Sequence, residues 1–395
     1  FFFHPHPANP DPLWSRGLGD VYKRQNNNRA YTSEGTDLKL QYTTENQSLT
    51  IGYRDTEDSE DRFQVYAYAD WLNGQLGALT VGSDPGYSSN NRLTTAQATA
   101  FYINEEINFG ALTVNLGYRS EDWEISQDRY VDAARSAIAT DNGYPKQLSD
   151  SDNSLMGFGA TYEVNENLTL VAGFHEGMTP MFGADPEEAD NTELGIRYSD
   201  GAGDVEIFYF SSEYSNLAAE CTLVSGAACN ADESAVFSGG SADVEGLEFS
   251  GSWVFEGNGV SYPIAVSYTS TDATFNNSSE SDYFGVVAAG DDLPYIPSSS
   301  MSIVAGFISD NGFSGNMRLI DVGSSCSIAA CGVYNKIDAH TILDLNLRKA
   351  LNDVMDVYLI VENVTDDADI ISRAPSEGAR SQKPRTLKVG FSYKF

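Results

Sequence analysis

Three arginines, Arg373, Arg380 and Arg385, gather just before the C-terminus. A guanidinium is a planar fork that matches a carboxylate with two parallel hydrogen bonds, so such a group suits an anionic, carboxylate-bearing ligand. Ordinary solvated loop charges would have the same composition. His175 shares a face with Thr169 and Gly173 near the end of a strand-like segment, where it either touches a metal chelate or lines a wall. His340 carries the same two readings. The acidic runs Asp185 to Asp190 and Asp55 to Asp61 could hold calcium, but neither has EF-hand spacing, and a solvated loop is the plainer reading. Four cysteines form two close pairs, Cys221 with Cys229 and Cys326 with Cys331. They lack the CxxC spacing of a zinc site. Their polar, small-residue surroundings suit local disulfides in an oxidising compartment, the alternative being unpaired surface thiols. Neither a GxSxG elbow nor an HExxH helix is present, so the chain is not read as an enzyme, and no cofactor is expected.

The elements that must carry these residues are strands. In a strand, alternate side chains point to opposite faces. Val260, Tyr262, Ile264, Val266 and Tyr268 alternate with small or polar partners, and so do Leu387, Val389, Phe391, Tyr393 and Phe395. Leu247, Phe249, Trp253 and Phe255 share a face, as do Leu38, Leu40 and Tyr42, and Met355, Val357, Leu359 and Val361. Each segment runs about ten residues, the span of a tilted strand through a bilayer. Short, turn-forming connections alternate with long polar ones. The short ones are Thr44 to Gln47, Asn73-Gly74, Phe109-Gly110, Asn165-Glu166, Asp200 to Gly203, Glu256 to Gly259, Asp310 to Gly312 and Leu351-Asn352. Tight turns of positive φ favour Asn and Gly there. A soluble sandwich also alternates, but it would not place a long loop at every second connection. The pattern predicts an all-β, transmembrane, antiparallel up-and-down barrel of roughly 17 strands.

Composition agrees. The chain of 395 residues carries 23 Lys+Arg against 57 Asp+Glu, a formal charge of -34, which argues against a nucleic-acid partner. Aromatics at 12% exclude an acidic disordered chain. No run approaches the ~18 apolar residues of a membrane helix, so any membrane crossing uses strands. Residues 1–29 lack strand alternation and signal-peptide order, and SRGLGDVYKRQ is similar to translated sequencing-linker tails. They are expected to be a non-native leader, with a Pro-rich native loop as the alternative, leaving 30–395 as barrel.

Six short motifs then point to one family. Lys388, Gly390, Tyr393 and Phe395 mark a C-terminal stretch that resembles the assembly signal of outer-membrane barrels. Asn363-Val364-Thr365-Asp366 and Pro384-Arg385-Thr386 resemble the motifs flanking the last loop of TonB-dependent receptors. Glu176-Gly177-Met178-Thr179-Pro180, Glu193-Leu194-Gly195-Ile196-Arg197-Tyr198 and Val244-Glu245-Gly246-Leu247-Glu248 are similar to family motifs in the same order. Tyr214 to Leu217 with the Cys221/Cys229 loop, and Ile371 to Arg385, look most like the ferric citrate receptor branch. Asp369 departs from the Tyr usual near that place. The resemblance implies an outer-membrane, multi-pass uptake receptor for a ferric chelate or another scarce nutrient. It implies a barrel of ~22 strands, of which the first strands and the plug would be missing here. Its partners would be the TonB energy-coupling complex acting through that plug, the barrel-assembly machinery, and membrane lipid with lipopolysaccharide. The loop arginines would then meet either an anionic chelate or lipopolysaccharide. A passive porin is the rival reading, and a secreted soluble sandwich a third.

Overall fold

A computed structural model of the protein describes residues 21–25, 28–72, 75–82, 90–138, 147–181, 185–220, 236–281, 284–373 and 378–394. The first strands are β1 (Val21–Gln25), β2 (Arg29–Thr43), β3 (Gln47–Phe63), β4 (Tyr66–Leu72), β5 (Gln75–Leu76) and β6 (Thr80–Val81). Next come β7 (Asn91–Asn108), β8 (Leu112–Arg129), β9 (Gln147–Glu163), β10 (Leu168–Thr179), β11 (Glu187–Ser199) and β12 (Gly203–Glu220). They are followed by β13 (Val236–Gly257), β14 (Val260–Phe275), β15 (Ser279–Ser281), β16 (Gly285–Val287), β17 (Ser299–Ser309) and β18 (Phe313–Val322). The last are β19 (Ser325–Cys326), β20 (Lys336–Ile337), β21 (His340–Ala350), β22 (Met355–Glu362), β23 (Ile370–Arg373), β24 (Ala379–Ser381) and β25 (Thr386–Tyr393).

One antiparallel sheet of 15 strands runs β2-β3-β7-β8-β9-β10-β11-β12-β13-β14-β17-β18-β21-β22-β25. That is fewer than the roughly 17 expected from pattern. The difference lies at β4 to β6, which join β1 in a separate four-stranded sheet. The carboxylates of β3 show why β7 is its neighbour. Asp55 accepts from Thr99 Oγ1 (3.1 Å) and Glu57 from Gln97 Nε2 (2.7 Å). These residues therefore lie within a strand, correcting the solvated-loop reading of Asp55 to Asp61. The second half of the other acidic run, Glu187 to Asp190, likewise opens β11. Strands are also longer than the ten residues a bilayer needs, reaching 22 in β13. Backbone pairing continues outside the membrane, where polar residues suit both faces.

Short connections fall where the turn residues put them. At the β13–β14 turn, Asn258 and Gly259 both have positive φ (54° and 73°), as a type I′ turn requires. Asn73-Gly74 lies outside the described residues.

The chain divides into two compact units. The larger comprises Thr36–Asp55, Ala98–Trp123 and Ser149–Phe395. Directly opposed residues share a face in an antiparallel pair, so rows can be read across its strands. Ile196, Ile207, Phe249, Tyr268 and Met301 form one such row. The next row, on the other face, is Gly195, Phe208, Glu248, Thr269 and Ser300. The apolar face leaves Leu194 52%, Phe158 57% and Phe391 71% exposed. A continuous apolar face of this extent is untenable in water and natural against lipid. Three motif glycines sit on the other face under rings of the facing strand. A Cβ on Gly195 or Gly390 would come within 2.3 or 2.4 Å of Phe208 or Tyr358, and one on Gly246 would meet the Ser270 carbonyl as well as the Phe210 ring. Those motif positions are thus explained by close approach of a ring to backbone.

The smaller unit comprises Phe1–Gly35, Thr56–Gln97 and Glu124–Leu148. It contains the β1–β4 pair, from Val21 opposite Asp70 to Gln25 opposite Tyr66, and the ends of β3, β7 and β8 remote from their short turns.

Candidate functional site

In the larger unit the face opposite the lipid belt is polar and carries His175 and Lys388. Arg197 pairs with Glu206 at 3.0 Å and Arg348 with Asp356 at 2.5 Å. Arg348, Asp356, Tyr358, Asn316, Asn346 and Ser392 line a groove of about 610 Å³ on this face. His175 lies on it, exposed, directly opposite Gly157 and Asn191. Its backbone carbonyl accepts from Asn191 Nδ2 (3.2 Å). His340, at the start of β21, has Nδ1 3.4 Å from Asp338 O.

The last loop is built from the motif residues. Asn363 is 3% exposed with φ 51°, a left-handed conformation that Asn tolerates better than most residues. Its Nδ2 donates to Asp367 O and Lys383 O, both at 2.8 Å, and its Oδ1 accepts from Thr365 Oγ1 (3.2 Å) and Asp367 N (3.3 Å). Asp366 then receives the Arg385 backbone N–H at 3.0 Å and its guanidinium at 3.1 Å. The two motifs are therefore two halves of one clamp, tying the end of β22 to the start of β25. Arg385 is a part of that clamp.

Arg373 is used similarly. Its Nε donates to Lys336 O (2.7 Å), and its own carbonyl accepts from Tyr295 Oη (2.5 Å). Tyr295 N in turn donates to Cys326 O (2.7 Å). Three long connections, those after β14, β18 and β22, are thereby joined. Cys326 and Cys331 are disulfide-bonded with Cα atoms 5.6 Å apart. Beside them a small apolar core forms from Leu217, Ala242, Phe275, Val287 and Ala329. Arg380 is exposed on β24, opposite Ser372. Arg373 and Arg380 stand on the two strands of one hairpin, Arg385 lies in the clamp before β25, and His175 lies on β10. Tyr393 lies on the lipid face, and Lys388 on the polar face donates to Glu362 (2.6 Å). Cys221, Cys229 and Phe395 lie outside the described residues.

The smaller unit holds a basic constellation that motif reading missed. Phe63 N donates to Asn28 O (3.1 Å), Gln64 N to Asn90 O (2.8 Å) and Tyr130 N to Asn91 O (2.9 Å). That register sets Arg29 opposite Arg62, Arg62 opposite Arg92, and Arg92 opposite Arg129. Four arginines thus stand in one row across β2, β3, β7 and β8. Glu60 lies 3.6 Å from Arg29 and 3.5 Å from Arg92. Gln64 Oε1 accepts from Arg62 Nε (3.1 Å) and Nη2 (2.9 Å), and Gln127 Oε1 from Arg129 Nε (2.8 Å). Nearby, Arg135 forks onto Asp61 at 2.9 and 2.5 Å and lies over the Tyr130 ring at 4.8 Å. The Asp61 carboxylate holds that guanidinium above its ordinary pKa. No local sequence signal marks the row, because its members are brought together only by register.

Comparison with known proteins fits this geometry. Residues 4–364 match the family described as TonB dependent receptor-like, beta-barrel. The ferric citrate transporter FecA in unliganded form superposes with TM-score 0.73 at 18% identity, over 96% of this chain and 56% of that one. The ferric-catecholate import receptor Fiu from K12 E. coli gives 0.67 at 17%, over 93% and 55%. The ferric yersiniabactin uptake receptor FyuA from Yersinia pestis gives 0.68 at 15%, over 96% and 56%. At such identities the likeness is one of fold. The chain spans little more than half the length of these structures.

Proposed function

The chain belongs to the TonB-dependent receptor β-barrel family, and on that premise we propose that it is the barrel part of an outer-membrane receptor for a metal chelate, with ferric citrate or a ferric siderophore as the cargo. The observation that carries this reading is the family match over most of the chain, joined to a sheet with one lipid-facing and one polar face. The receptor fold supplies binding and passage rather than bond-making chemistry. We read the chain as a non-enzyme on that ground. Energy would come from the TonB complex acting through a plug, and lipopolysaccharide would meet the lipid face where it reaches the outer leaflet.

Long connections tied by Tyr295, Arg373 and the Cys326–Cys331 bridge favour a receptor over a passive pore, since a receptor must hold its loops in a binding geometry. The test is growth under iron limitation in a host lacking its own ferric citrate receptor. Cells expressing the chain joined to a plug domain are expected to grow on ferric citrate only when TonB is present. Equal growth without TonB, together with swelling of liposomes that carry the chain in uncharged sugars, would establish the porin reading instead.

A further inference from the structure

We propose that the lipid face of β9 to β13 holds a docking groove for one outer-leaflet lipid whose headgroup carries primary amines. The inference deepens the reading that sets this face in the outer membrane, and it rests on that reading.

The apolar part of the site is a groove of about 570 Å³. Ala160 lies opposite Ala172, and Ala172 opposite Leu194. Two methyl groups therefore stand where the rows on either side carry Tyr162 with Leu170 and Phe158 with Phe174. The groove continues over Leu194, Tyr209 and Leu247. Leu194 and Leu247 are each 52% exposed, a surface that calls for hydrocarbon. The next row toward the long connections begins with the stacked rings of Phe158 and Phe174, 5.6 Å between centroids. It continues with Thr192 and Ser211. On β11 and β12 those small side chains leave the way open from the groove to the row beyond. An acyl chain fits the apolar part.

The row beyond decides the headgroup. Glu176 lies opposite Asp190, Asp190 opposite Glu213, and Glu213 opposite Asp243. Asp190 has the parity of Leu194 on β11, and Glu213 that of Tyr209 on β12, so the row stands on the lipid face. Glu245 flanks it and accepts from Tyr209 Oη at 2.8 Å, which joins the groove to the carboxylates. Asp190, Glu213 and Asp243 are exposed. Among the described residues no basic side chain pairs with any member of the row. Like charges directly opposed across strands destabilise a sheet, so a cation brought by the occupant offsets a standing cost.

The spacing selects the kind of cation. Neighbouring rungs are roughly 4.8 Å apart, so the row is a line about 14 Å long. Among the described residues no three such side chains converge as a metal ion requires. Separate carboxylates suit ammonium groups, which are compact charges with three donors each. From Leu194 to Asp190 is about 14 Å along β11. One amphiphile lying along the strand therefore reaches both parts. The row lies toward the long connections, the outer side of such barrels.

The experiment is native mass spectrometry of the full chain in detergent micelles with a chelator present. The probes are lipid A bearing ethanolamine on its phosphates and the same lipid A without it. Wild type is expected to bind the amine-bearing form at least about fivefold more tightly, the worth of one ammonium contact at a membrane surface. That preference should shrink as salt rises. Asp190→Asn with Glu213→Gln should abolish it, whereas Asp190→Glu with Glu213→Asp, which keeps the charge, should retain it. Ala172→Trp fills the groove and should weaken both lipids by at least about threefold through lost chain packing, leaving their ratio unchanged. Equal binding of the two lipids by wild type overturns the proposal. So does a preference in the Asn/Gln variant within about twofold of the wild-type preference. Unchanged affinities in Ala172→Trp overturn the groove. Magnesium in place of the chelator should not raise unsubstituted lipid A to the affinity of the amine-bearing form. If it does, and the Asn/Gln variant loses that gain, the row serves divalent bridging and the proposal falls. Lipid binding is read without cargo, plug or TonB. Its failure leaves the uptake reading intact, and a failed growth assay leaves the lipid result readable.

Discussion

Replacing Asn363 by alanine should release the last loop. Its Nδ2 serves two carbonyls, Asp367 O and Lys383 O, both at 2.8 Å. Leaving them without a donor in a part-buried site costs about 1 kcal/mol each. Alanine in the left-handed conformation at φ 51° adds about 1 kcal/mol more. The sum of about 3 kcal/mol corresponds to roughly a hundredfold rise in opening. Asn363→Gly relieves the backbone cost but not the hydrogen bonds, so about 2 kcal/mol, or roughly thirtyfold, is expected. Amide hydrogen exchange of the folded chain reads this directly. The reporters are Asp367 N, Gln382 N and Arg385 N, whose acceptors are Asn363 Oδ1, Asp369 O and Asp366 Oδ1. Amides in β18, bonded within the sheet, should be unchanged. If the glycine variant exchanges like wild type, the side-chain bonds contribute nothing and the clamp account fails. It fails equally if only Asp367 changes while Gln382 and Arg385 stay protected.

Other consequences are as direct. Gly390→Ala would put a Cβ 2.4 Å from Tyr358 Oη, costing about 1–3 kcal/mol in chemical unfolding from micelles; adding Tyr358→Ala should recover part of the loss, and strict additivity would show that the ring is not the obstacle. Cys326→Ser with Cys331→Ser opens a loop whose closure is worth about 2 kcal/mol, so proteolysis after Lys336 should quicken, and an unchanged rate would mean that Tyr295 and Arg373 hold the loop unaided. Hydrogen bonds from Ser136 hold the Asp132 carboxylate below its usual pKa. Because the folded value is depressed, this support for residues 131–138 is complete above about pH 4 and fades as pH falls through the lowered value. Exchange of the Ser136 amide should rise with acidity beyond its intrinsic trend in wild type and not in Ser136→Ala.

Much of the barrel was readable from residues alone, because strand alternation is local. Val260 to Tyr268 carries its own period, and Asn258-Gly259 its own turn. The same holds for the alternation and spacing that end in Leu387 to Tyr393. Site chemistry is less legible. Charge and position near the C-terminus single out Arg373 and Arg385, but no motif names the partners that the structure gives them, Lys336 O for one and Asp366 for the other. A loop charge reveals its partner only once two distant chain segments meet.

What the sequence determined by itself was therefore the set of strands, their two faces and their short turns, each written in a few neighbouring residues. Only the tertiary structure decided the pairing of β3 with β7, with β4 to β6 intervening in sequence, the close approach of rings to Gly195, Gly246 and Gly390, and the meeting of four arginines. Register is a long-range quantity: a shift of one residue turns every side chain to the other face. Nothing within a single strand states which distant residue will stand opposite, so a row built from four strands has no signature until they are paired.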